Sequence, residues 1–111
     1  MTYEVPPKLG HVYVLEAAGL NRAKIGWSAS VMFRTQDIRL ASPVELVLLT
    51  TIQCFQQREF HLHRRFNAYR VWPKREWFHI EGELADWLAP HREGTHERYL
   101  DRNTRSRTRK G

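Results

Sequence analysis

A chain of 111 residues with 41% apolar and 27% charged types has room for one compact core and a short appendage, and excludes a wholly disordered or collagen-like protein. No apolar run nears the roughly 20 residues of a membrane-spanning helix, residues 1–10 lack a signal peptide's apolar stretch, and the single cysteine, Cys54, excludes an internal disulfide or a cysteine-rich zinc site. The net charge of +6 rests on 14 arginines among 18 cations, and arginine's planar fork matches phosphate oxygens in a way that mere solubility does not require.

Residues 1–9 read as an extension and residues 10–90 as one domain. His11–Leu15 and Ala23–Trp27 alternate in polarity, and Gly19-Leu20-Asn21 between them supplies turn residues, which predicts an antiparallel hairpin. Val12, Val14, Ile25 and Trp27 share its buried face; Tyr13, Lys24 and Gly26 lie on the opposite face, where polar chemistry could sit. Ser28 or Ser30 caps a helix running to about Leu40, in which Val31, Arg34, Ile38 and Ala41 form one strip, so that an arginine lies in an apolar line. Ser42-Pro43 breaks this helix. Glu45–Ile52, rich in Leu, Val and Thr, reads as a third strand, buried on both faces and central.

Gln56 to Tyr69 reads as a second amphipathic helix, with Phe55, Leu62, Phe66 and Tyr69 packing and Arg58, His61, Arg64 and Arg65 as polar neighbours. Glu59, His63 and Phe66 fall on one side of it. His61 and His63 point some 200° apart, which excludes a shared zinc ion. Glu76-Trp77-Phe78 is a short strand or turn whose aromatics belong to the core, and Gly82–Ala89 is a last helix ended by Pro90. The expected fold class is α/β (α+β): a small three-stranded antiparallel or mixed sheet flanked by helices. Residues 91–111 set seven cations, among them Arg105, Arg107 and Arg109, against three acids. They read as a basic, flexible arm that attracts phosphate without regard to sequence.

The ordered set Gly10-His11-Val12-Tyr13, Lys24-Ile25-Gly26, Arg34, Glu59 and Glu76-Trp77-Phe78 resembles the GIY-YIG nuclease superfamily, in particular its small phage and bacterial branch whose second signature reads Lys-Ile-Gly. The resemblance covers about residues 10–88. It implies phosphodiester hydrolysis in DNA with one divalent ion, Mg²⁺ or Mn²⁺, in the cytoplasm of a bacterial or phage-infected cell. Tyr13 would be the general base or a relay to one, and Lys24 would lower its pKa or bind phosphate. Arg34 would hold the scissile phosphate, Glu59 would be the one protein ligand of the metal, and His63 would touch the phosphate or hold Glu59. Gly26 would leave room for a phosphate, and Arg58, Arg64 and Arg65 would join the arm in binding DNA.

This chain departs from the superfamily's commoner signature in carrying Lys24 in place of a second tyrosine, and the usual late asparagine has no match. The general base is therefore open. Without a separate duplex-reading domain, single-stranded or branched DNA is as plausible a partner as duplex. An inactive DNA-binding or regulatory module with the same fold is the alternative.

Overall fold

The computed structural model describes residues 8–73 and 75–91. Strands β1 (Leu9–Ala17) and β2 (Arg22–Ser28) form the expected antiparallel hairpin, pairing Tyr13 with Gly26, Val14 with Ile25 and Leu15 with Lys24. Its turn passes through Gly19 and Asn21, both at positive φ, where these two residue types are least strained. Helix α1 (Val31–Ala41) follows, and its entry is fixed by Ser28, whose Oγ accepts the Ser30 N–H at 2.9 Å. Strand β3 (Leu46–Phe55) returns antiparallel to β1. Helix α2 (Gln57–Arg65), a 3₁₀ turn (Asn67–Tyr69), strand β4 (Trp77–His79) and helix α3 over 82–91 complete the order. Pro90 and His91 are themselves helical, so the proline does not end α3.

The α+β class is as expected, but the sheet has four strands, ordered β3-β1-β2-β4 and antiparallel throughout. Glu76-Trp77-Phe78 supplies the extra one, since β4 pairs Phe78 with Ala23 and Trp77 with Lys24. The strand expected at the centre, β3, is at an edge. Its apolar character fades along its length: Leu46, Leu48 and Leu49 are buried, whereas Gln53 and Phe55 are exposed. Phe55, expected to pack, is 44% exposed.

Strand β1 is the one buried on both faces. On one side Val12, Val14, Ala23 and Ile25 pack with Leu62 and Phe66 below α2, Phe78 of β4, and Leu84 and Leu88 of α3. Each such fully buried Leu or Phe contributes about 1.5–3 kcal/mol. On the other side Tyr13, Leu15, Ala17, Leu46 and Leu48 form a second cluster, roofed by Val31 and Ile38 of α1. The face expected to be polar is thus half apolar, because α1 folds over it. Polar groups occupy only the margin left by α1, around Lys24 and Gly26.

Candidate functional site

Tyr13 stands on the central strand, 2% exposed, directly across from Gly26. The phenol lies over that glycine: a Cβ at position 26 would overlap Tyr13 Oη and Cζ. The space that Gly26 was expected to leave for a phosphate is therefore taken by the tyrosine, and the glycine is needed to admit the ring. Arg34, exposed on α1, is the cation close enough to the Tyr13 hydroxyl to act on its ionisation. Burial raises the phenol's pKa above its ordinary value, Arg34 opposes that, and the charges of Glu76 and Glu59 add to it. The cation expected beside the phenol was Lys24. The structure puts Arg34 there instead.

Lys24 Nζ forms an ion pair with the Glu76 carboxylate just before β4. The lysine is largely covered and the glutamate half-exposed. Glu76 is the hub of the local field, since its charge acts on Tyr13, Glu59 and His63. The sequence places it in the ordered motif set but assigns it no role of its own. The signal that could have found it is register: Lys24 pairs with Trp77, the residue next to Glu76, across β2 and β4.

Glu59 is in the first turn of α2, where the helix dipole favours an acid. Its pKa is nonetheless raised, first by burial and then by Glu76, with Lys24 working in the opposite direction. His63 lies one turn later, its Nε2 3.9 Å from Glu59 Oε2. The same Nε2 is 2.7 Å from the Ile25 carbonyl oxygen, which can only accept, so this nitrogen carries the proton. Burial depresses the His63 pKa, the Ile25 hydrogen bond partly offsets this, and the Arg70 charge lowers it further. The neutral ring pins α2 to β2, a tether that the expected roles of phosphate contact or glutamate support did not include.

Glu59, His63 and Glu76 line an open groove of about 650 Å³, with Gln56, Phe60, Arg64, Arg70 and Arg75 forming much of the rest of its wall. That volume is within the roughly 300–1,000 Å³ of ligand clefts. Tyr13, Lys24 and Arg34 do not line it; Lys24 adjoins it through its pair with Glu76. Arg70 is a fixed cation: Nε donates to Asn67 Oδ1 at 3.0 Å, Nη2 to the His63 carbonyl at 3.1 Å and Nη1 to the Arg75 carbonyl. Its guanidinium lies over the Trp72 and Phe78 rings. Neither Arg70 nor Arg75 was singled out from the sequence.

Of the arginines expected on DNA, Arg64 lines the groove and Arg58 is exposed on α2 outside its lining. Arg65 turns toward α3, where its Nε meets Glu83 Oε2 at 2.8 Å. A partner 18 positions away takes it out of the groove. Arg105, Arg107 and Arg109 lie outside the described residues.

Among the described residues no three His, Cys, Asp or Glu side chains gather in the manner of a closed metal centre. The donor set does fit a hard divalent cation, because Mg²⁺ keeps most of its waters and takes one or two carboxylates. Glu59 is a half-buried carboxylate beside another acid, so its anionic form is one that a cation would stabilise. An acid pair, a phenol under a guanidinium and an arginine-walled groove together have the chemistry to grip and polarise a phosphate ester. Among the described residues no helix is long and apolar enough to cross a membrane.

Fold and groove thus define a small α+β domain equipped for a phosphate-bearing ligand. Comparison with family profiles is more specific: the T5orf172 domain profile matches residues 10–92. The chain belongs to the T5orf172 domain family, a nuclease-associated family of phage and bacteria. Neither the curated proteins nor the solved structures contain a match. Membership brings a nuclease-like or DNA-binding function, with DNA as the partner class.

Proposed function

We propose that this protein is a metal-dependent DNA endonuclease of the GIY-YIG type. The observation that supports this most is Glu59: a carboxylate with raised proton affinity, kept beside Glu76 in an arginine-walled groove, is a poor choice for stability and a good one for holding Mg²⁺ or Mn²⁺. When bound, the ion supplies Lewis acidity to the departing 3′ oxygen. Arg34 binds the scissile phosphate with its planar fork and offsets the charge that builds on the equatorial oxygens. Tyr13, its phenol held protonated by burial, orients the attacking water and relays its proton at Oη. Lys24 exchanges Glu76 for a phosphate oxygen as the DNA arrives. Arg64, Arg70 and Arg75 add sequence-independent attraction along the groove.

A second reading, a DNA-binding module that does not cut, draws on the Lys24–Glu76 pair, which occupies the ammonium expected to serve the chemistry. The deciding experiment is a substrate panel of single-stranded, duplex and branched DNA with Mg²⁺ or Mn²⁺, run beside Glu59→Ala and Arg34→Ala. Products from the parent and none from either variant support the endonuclease. Salt-sensitive binding without products under any metal supports the second reading.

A further inference from the structure

Two aromatic side chains beside the groove belong to neither core. Phe60, next to Glu59 on α2, lines the groove and is 59% exposed; Trp72, in the loop after the 3₁₀ turn, is 67% exposed. Folding gains little from leaving such rings in water. Each is paired with a guanidinium: Arg64 lies 5.7 Å from the Phe60 ring centroid and Arg70 lies 5.5 Å from that of Trp72. Both arginines also line the groove. One ring–cation pair, Phe60 with Arg64, is thus in the groove wall, and a second, Trp72 with Arg70, joins the wall through its arginine. A strand of nucleic acid offers the complementary alternation of base and phosphate, provided that the base faces are free. In a duplex the faces are stacked inside and only edges and phosphates are presented.

We infer that Phe60 and Trp72 are stacking platforms for unpaired bases, so that the groove takes a single-stranded DNA segment with Arg64 and Arg70 on its phosphates. This rests on the reading of the groove as the DNA site, and its test reads binding and not cutting. Neither ring takes part in a core cluster, so truncating it leaves the packing intact, as an unchanged Tm verifies.

Full-length protein in EDTA is titrated with a fluorescent 12-nucleotide single strand, with the same strand carrying abasic sites throughout its centre, and with the duplex form. The normal strand binds tightest. Phe60→Ala and Trp72→Ala each weaken it roughly 5- to 100-fold and leave the abasic strand and the duplex nearly unchanged, while Phe60→Tyr and Trp72→Phe retain tight binding. Equal affinity for normal and abasic strands, tighter binding of the duplex, no binding of any of them, or alanine variants that bind like the parent would overturn the inference. The same samples are then given Mg²⁺. Cutting without base-dependent binding removes the platforms and leaves the endonuclease standing; base-dependent binding without cutting does the reverse.

Discussion

Tyr13 and Gly26 are cross-strand partners, and the phenol lies flat in the gap that the missing side chain leaves. Gly26→Ala should therefore act through Tyr13. The added methyl is expected to cost about 1–3 kcal/mol, as overpacking of a tight interior does, and to push the hydroxyl away from Arg34, with loss of cleavage. Adding Tyr13→Leu, which removes the ring atoms in conflict, should make the double variant more stable than the sum of the singles by about 0.5–3 kcal/mol. Urea denaturation of the four proteins measures that coupling.

Glu59→Gln separates function from stability. The ionised carboxylate is disfavoured by burial and by Glu76, so its raised folded pKa withdraws stability as pH climbs through and above the ordinary carboxylate range. At pH 7.5 in EDTA the neutral glutamine should match or exceed the parent in Tm while abolishing metal-dependent cleavage. Mg²⁺ should raise the parent's Tm, as any ligand of the folded state does, and leave that of Glu59→Gln unmoved.

His63 predicts a loss of stability on acidification. Its folded pKa is depressed below the ordinary value of about 6.5, so below 6.5 the unfolded chain takes up a proton that the folded one resists. The contribution is fully present above that value and is lost as pH falls toward the folded pKa. His91, also depressed by burial, adds to the trend. Chemical denaturation at pH 7.5 and 5.5 should show a smaller drop for His63→Gln than for the parent.

Glu76 and Lys24 should shift the pH–rate profile in opposite directions. Glu76 raises the proton affinity of Glu59 and Lys24 lowers it. At a fixed, subsaturating Mg²⁺ concentration, Glu76→Gln is expected to move the acid limb of cleavage to lower pH and Lys24→Met to higher pH. Movement of both limbs in the same direction would show that the limb does not report Glu59.

Much of this was legible in the primary structure because local pattern and local geometry agreed. The hairpin followed from its alternation and turn residues, and Leu62 and Phe66 fell on the packing face that their spacing assigned. What escaped depended on partners distant along the chain. Arg65 looks like its neighbour Arg64 until Glu83 is brought against it. Glu76 is one more acid until β4 docks on β2 and sets it against Lys24. The apolar run of β3 suggested a central strand, yet strand order depends on which neighbours β1 can pair with on both sides. Alternation in β1 suggested a wet face, and only the docking of α1 made it dry.

The double duty of Tyr13, buried cornerstone and candidate reagent at once, bears on how kindred sequences should be sorted. A descendant that had given up cutting would still be held to a large apolar side chain there, because a core cluster is packed around it. Glu59 has no such excuse: if the proposed ion is what it serves, a chain that no longer bound one would keep a burden that drift would soon discard. On the proposed reading, an intact glutamate at this place, more than the buried tyrosine, is the mark by which cutting relatives would be told from those that only bind.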